Sequence, residues 1–144
     1  MKLFTEVRNS KGKLFFRLLF DDEKRIIQTL WMGYLQLDDI KRGTGKIINF
    51  LSENEGHYFG HINDVSGMKK LWSAKKDKFG GIFVPKIREL GISFQAEIKT
   101  HGQMQESADN HYPLINIGDA DYNIFKTKDD AVLWLMGQNH LHLV

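Results

Sequence analysis

The hydrophobic period of the chain changes at Asp38, and this change constrains the fold more than any other feature of the sequence. Before Asp38, three stretches rich in β-forming residues, KLFTEV, KLFFRLLF and RIIQTLWMGYL, are separated by the turn-like RNSKGK and by DDEK. In the second stretch, Leu14, Phe16, Leu18 and Phe20 fall on one apolar face. We therefore predict an antiparallel meander whose apolar face lies in the core.

From Asp38 onward, helices alternate with strands. The period of 3.6 residues predicts a helix with Asp38 as its N-cap and an apolar stripe made of Ile40, Gly43, Ile47, Phe50 and Leu51. A strand from GHINDVS follows, ending at Asp64 or Ser66, and Ser66 then caps a second helix. A meander followed by this alternation indicates an α/β, mixed α+β fold, with a mixed sheet of five or six strands flanked by helices.

The second half of the chain continues the alternation. Pro85 suits the first turn of a short helix PKIREL, and Gly91 suits its left-handed cap. ISFQAEIK alternates apolar and polar residues, which predicts a half-buried strand. A long polar connection from about 100 to 114, with room for a helical turn, leads to the strand YNIF, and a last helix opens at Thr127, where Asp130 lies three residues on, and can end at Gly137.

Composition limits the class of protein. A chain of 144 residues has the size of one domain with one core, so we expect a single domain over residues 1–144. The absence of cysteine excludes disulfides and Cys-ligated metals, and a net charge of +2 does not indicate a specific nucleic-acid binder. No run of about 18 apolar residues and no signal-peptide core is found, so we expect a cytoplasmic protein without a transmembrane segment.

The sequence GTGK within DDIKRGTGKIINFL suggests a phosphate-binding loop at first sight. A Walker loop needs glycine five residues before the Gly-Lys pair and Ser or Thr after it, but these positions are Ile40 and Ile47. The apolar residues keep their helical period through both glycines, so we predict a helix. Close packing against the sheet would explain Gly43, whereas Gly45 has no explanation from the sequence.

The histidines do not form a metal or catalytic motif. In HYFGH, His57 and His61 are four residues apart, but the flanking glycines favour extended chain, where four residues span about 13 Å and no ion can be shared. We therefore expect neither a metal nor another cofactor. An enzyme remains a third possibility, for which His101, His111 or His57 would have to meet a carboxylate within hydrogen-bonding distance in a pocket.

Lysines are concentrated around Trp72 in KKLWSAKKDK. Lys69, Lys75 and Lys76, together with Trp72, could contact an anionic surface or a ligand. The alternative interpretation is a solvated helix face with Trp72 in the core, and we favour it because Asp77 and the overall charge balance dilute the basic character.

One pattern resembles a known family. The order of elements, the segment Asp64-Val65-Ser66-Gly67-Met68 at a strand-to-helix junction and a closing helix from Asp129 to Met136 resemble the SpoIIAA-like (STAS/SEC14-like) family of small bacterial proteins. In the anti-sigma-factor antagonists of the wider family, a partner kinase phosphorylates the serine of such a motif, which switches partner binding. The resemblance implies that Ser66 is a phosphosite with Asp64 and Gly67 as its neighbours.

The resemblance also implies two kinds of function. The first is a non-enzymatic regulatory or protein-binding module, switched by serine phosphorylation and served by a kinase or regulatory protein. The second is a carrier of a small apolar or lipid-like ligand, because other relatives with this fold are thought to hold such ligands and the ten Phe and three Trp residues could line a pocket. The fold resemblance alone does not choose between them.

Overall fold

The structure is a computed structural model that describes residues 1–70, 80–110 and 121–142. Within these residues the strands are β1 (Lys2–Arg8), β2 (Leu14–Asp21), β3 (Ile26–Gly33), β4 (Gly60–Met68), β5 (Phe94–Ile98) and β6 (Tyr122–Phe125). The helices are α1 (Leu37–Glu53), α2 (Gly80–Glu89), α3 (His101–Asn110) and α4 (Lys128–His142). No helix in the described residues is long and apolar enough to cross a membrane.

The strands of the described chain form a six-stranded sheet in the order β1-β2-β3-β4-β5-β6. The pairs β1–β2 and β2–β3 are antiparallel, and the pairs β3–β4, β4–β5 and β5–β6 are parallel. The sheet changes from antiparallel to parallel at β3, because β2 joins it through a short turn whereas a helix separates β3 from β4. The predicted fold class, a meander continuing into a mixed sheet flanked by helices, is confirmed.

Helices cover both faces of the sheet. On the first face, Ile40 and Ile47 of α1 and Ile87 of α2 pack with Phe16 and Trp31 in the larger apolar cluster. On the second face, Ala131 and Leu135 of α4 pack against the sheet in a smaller cluster, together with Ile26, Phe59, Ile62, Ala96 and Ile98. Strands β4 and β5 therefore have no solvent-facing side, as is usual for parallel strands between helices.

This double coverage corrects the predicted half-buried strand. The apolar side of β5 is buried as expected, but Gln95, Glu97 and Lys99 are also buried, at 0%, 1% and 2% exposure. Alternation of apolar and polar residues along a strand usually indicates that one of its faces is exposed to solvent. Here the polar face lies on the side that α1 and α2 cover, so the prediction of a solvated face is wrong.

Helix α1 begins two residues earlier than the predicted cap implies, with Gln36 in place of Asp38 as its N-cap. Asp38 is not the N-cap, because Leu37 is the first helical residue and Gln36 precedes it as the cap. The backbone N–H of Gln36 donates to a carboxylate oxygen of Asp39 at 3.0 Å, which is half of a capping box. The predicted buried stripe is confirmed, since Ile40, Gly43, Ile47, Phe50 and Leu51 are all buried.

Three other predicted boundaries are wrong. Strand β4 continues through Ser66 to Met68, so no helix begins at Ser66. Helix α2 begins at Gly80 and contains Pro85 in its interior. Helix α4 passes through Gly137 and ends at His142, while at its start Asp130 N donates to Thr127 Oγ1 at 3.2 Å, which fits the prediction that Thr127 opens this helix.

Gly43 is required by the contact between α1 and the sheet. A Cβ atom at Gly43 would lie 2.5 Å from the ring of Trp31, which is closer than carbon atoms approach each other in folded proteins. At Gly45, by contrast, a Cβ would meet nothing within 4 Å, so the structure gives no reason for glycine there.

We expect opposite effects from two alanine substitutions in this helix. Gly43→Ala should lower the free energy of unfolding by about 1–3 kcal/mol, because it forces Trp31 or the helix to shift. Gly45→Ala is the matched control and should raise it by up to about 1 kcal/mol, because alanine favours the helix and meets open space. Urea unfolding of both variants checks this, and equal effects of the two substitutions would contradict the packing explanation.

Candidate functional site

A cavity in the described part of the chain lies where β3 ends and α1 begins. Its volume is about 630 Å³, and it is bordered by the β1–β2 turn, the end of β3, the first turns of α1 and Lys69 just after β4. We call it the carboxyl-edge cleft, because β3 and β4 both reach it with their carboxyl ends. In open sheets with parallel strands, ligands and partners typically bind at this edge.

Basic side chains predominate around the carboxyl-edge cleft. Four cationic residues line it, namely Lys11, Lys13, Arg42 and Lys69, against two acidic ones, Asp38 and Asp39. The Arg42 guanidinium lies 5.4 Å from the centre of the Phe15 ring, a cation–π distance. Phe15 is buried, although the meander pattern predicted only its neighbours on the other side of β2 as core.

Exposed apolar groups lie beside these charges. Tyr34 lines the cleft and is 77% exposed, and Leu37 at the start of α1 is 38% exposed. An exposed aromatic side chain next to a charged cleft is typical of protein-binding surfaces, where tyrosine and arginine are enriched. The sequence pointed to neither residue: Tyr34 directly follows the end of β3, and Leu37 is the first residue of α1.

The predicted switch residues lie together in a β-bulge near this edge. The pairing of β3 with β4 shifts between Leu30–Asp64 and Met32–Gly67, so β4 contains one extra residue there. Gly67 fits because a Cβ would lie 3.1 Å from the carbonyl oxygen of Trp31. Ser66 is part-buried in this bulge rather than at a helix N-terminus, which corrects the predicted location.

Asp64 and Gln103 form hydrogen bonds with the polar groups of the bulge. The Asp64 carboxylate accepts the Ser66 backbone N–H at 3.0 Å and the Ser66 hydroxyl at 2.5 Å. From α3, the Gln103 side-chain amide donates to the carbonyl oxygens of Val65 at 2.8 Å and Met68 at 3.3 Å. These bonds replace the ladder bonds that a bulge loses.

A second polar feature, absent from the predicted sites, lies in the middle of the sheet. Thr29, His61, Asn63 and Gln95 share the face that α1 and α2 cover, and all four are fully buried. We call them the polar row. His61 pairs in register with Gln95, and Thr29 pairs with Asn63, so the four side chains are neighbours on β3, β4 and β5.

Hydrogen bonds organise one side of the polar row. Thr29 Oγ1 lies 2.7 Å from His61 Nε2 and donates to Asn63 Oδ1 at 2.8 Å, and Trp31 Nε1 donates to the same Asn63 oxygen at 2.8 Å. Beyond Gln95, the Tyr122 hydroxyl donates to the Glu97 carboxylate, and burial raises the pKa of Tyr122. Burial also lowers the pKa of His61 to about 3.

The burial of His61 makes the fold sensitive to acid. At pH 5 the folded His61 is neutral, whereas the unfolded imidazole, with a pKa of about 6.5, binds a proton, so stability falls as the pH drops from about 7 towards 3. We expect a loss of about 2 kcal/mol between pH 7 and pH 5 from this residue. Urea unfolding at both pH values measures it. His61→Gln should reduce this loss of stability between pH 7 and pH 5. His101→Gln leaves His61 in place and should show the same loss of stability as the wild type.

The other predicted residues are scattered or lie outside the described residues. Lys69 lines the carboxyl-edge cleft, but Trp72, Lys75 and Lys76 lie outside the described residues, as does His111. His57 Nε2 lies 3.6 Å from Asp22 Oδ1, at an exposed position, and His101 lies beside Gln105. Within the described ranges, no group of three His, Asp or Glu side chains could hold a metal ion.

Comparisons with known proteins found a solved structure to which this chain is similar. No protein-family model matches the chain, and a search of curated proteins found no match. Among solved structures, the chain is similar to the crystal structure of an anti-sigma factor antagonist from Mycobacterium paratuberculosis, with 12% identity and a TM-score of 0.49 over 90% of this chain and 98% of that chain.

Proposed function

We propose that the chain is a regulatory, protein-binding module whose partner docks at the carboxyl-edge cleft. The observation that carries this proposal is the position of Tyr34, which is 77% exposed beside a cleft of about 630 Å³. A tyrosine in this setting offers a large apolar surface and a hydroxyl to a partner at little entropic cost.

The charges around the cleft indicate the chemistry of the partner. With four cationic and two acidic residues, the lining carries a formal excess of two positive charges. A partner segment with carboxylates would be attracted to Lys11, Lys13 and Lys69. Such rim charges mainly raise the rate of association, while Tyr34 would supply most of the affinity.

Ser66 is the proposed switch within the same module. Its hydroxyl donates to Asp64 in the structure, so a phosphate on that oxygen would remove this bond and place two like charges together. The bulge lies three residues before Lys69, whose backbone N–H donates to Gly33 O at 3.0 Å at the border of the cleft. Phosphorylation by a kinase would therefore alter the docking edge by displacing the end of β4.

Affinity purification tests the docking surface. We expect Tyr34→Ala to weaken partner capture by about 2 kcal/mol, roughly thirtyfold, since interface tyrosines often contribute that much. Leu133→Ala is the matched control, because Leu133 is 71% exposed on α4, which covers the other face. The tagged wild type and both variants are compared after cross-linking in the native cell. Identical partner sets for all three would refute the proposal.

Mass spectrometry tests the switch separately. Protein from the native cell should carry phosphate at Ser66 under some growth condition, and the Ser66→Ala form should lose that modification and its effect on partner capture. If Ser66 stays unmodified in every condition while Tyr34→Ala still loses the partner, the docking surface stands and the switch is wrong.

A further inference from the structure

The polar row is unusual for its place in the fold. Parallel strands covered on both faces normally carry Val, Ile and Leu on both sides. Here β4 and β5 instead place His61, Asn63 and Gln95 under α1 and α2, each at 0% exposure. Every buried polar atom without a partner costs about 1–3 kcal/mol, so such a row calls for an explanation.

The hydrogen bonds fix which atoms of the row are donors and which are acceptors. Trp31 Nε1 can only donate, so the Asn63 atom that faces it is the oxygen, and the Nδ2 group points elsewhere. The single Thr29 hydroxyl hydrogen goes to Asn63, so Thr29 must accept from His61 Nε2. His61 Nδ1 is therefore an unprotonated acceptor.

Four atoms of the row then remain without a partner in the described part of the chain. They are His61 Nδ1, Asn63 Nδ2, and both Gln95 Nε2 and Gln95 Oε1. The set contains an acceptor on His61, a donor on Asn63 and one of each on Gln95, which is next to His61 in register. His61 and Asn63 are two residues apart on one strand, a spacing of about 6.6 Å, so their side chains can converge on one small molecule.

We propose that the polar row is a binding site for a small neutral molecule with an amide or lactam edge, which has an N–H donor beside a carbonyl acceptor. The N–H would donate to His61 Nδ1, the carbonyl would accept from Asn63 Nδ2, and Gln95 would bond to a second group of the same edge. None of these three side chains carries a charge while the imidazole is neutral, which favours a neutral ligand over an ion. All four side chains of the row are buried at 0% exposure, so a ligand would reach them only if the elements packed on this face moved.

Two related compounds test the proposal. Uracil has the lactam edge, and 1,3-dimethyluracil keeps the carbonyls but lacks both N–H donors. In long-range proton–nitrogen NMR spectra, millimolar uracil should shift the His61 Nδ1 signal, because that nitrogen gains a hydrogen bond, and dimethyluracil should leave it in place. No response to uracil, or an equal response to both compounds, overturns the proposal.

A single substitution distinguishes an effect on ligand binding from an effect on the stability of the fold. Gln95 makes no side-chain hydrogen bond in the described residues, so Gln95→Met should keep the fold and raise the unfolding midpoint. It should also weaken uracil binding about tenfold through the loss of hydrogen bonds to the ligand. Unchanged uracil affinity in this variant would contradict the proposed site. If the variant fails to fold, the comparison of the two compounds on the wild type still decides.

Discussion

The position of Trp31 is the constraint on which the other parts of the structure depend. Its ring occupies the space that a side chain at Gly43 would need, and it packs against Phe16 at a centroid distance of 4.7 Å. Its indole N–H donates to Asn63. One residue of β3 thus contacts the antiparallel meander, the first covering helix and the parallel half of the sheet. A shift of Trp31 would therefore change the packing of all three.

The same residue links the apolar core to the polar row. Asn63 can orient its amide only because Trp31 and Thr29 both donate to its oxygen, which leaves the Asn63 N–H groups directed away. The cost of the buried polar atoms is offset by the dense apolar packing around them. Natural proteins often accept such a local cost where a site must stay preorganised, and this is the physical basis of our inference about the row.

Much of the fold could be predicted from the sequence, but the sites could be predicted only in part. The periods of KLFFRLLF and of the stripe through Ile47 are strong local signals, and both predictions are confirmed. Ser66 was misplaced because a strand with a bulge and a strand followed by a cap have the same local pattern, and only pairing with β3 distinguishes them. Gln95 was assigned to solvent because its burial depends on helices distant in the sequence. The cleft around Tyr34 combines the β1–β2 turn, the end of β3, the first turns of α1 and Lys69, which no local pattern could reveal.

The sequential order of the strands has a consequence for how the chain folds during synthesis. Each strand pairs only with its neighbours in the sequence, so the sheet can grow outward from the meander as the chain leaves the ribosome. The face that carries Ile26, Ile62 and Ala96 is different, because its cover is α4, which is made after every strand. Until Leu135 is available, that apolar face stays open to water or to a chaperone, and the nascent chain is most prone to aggregation at that stage.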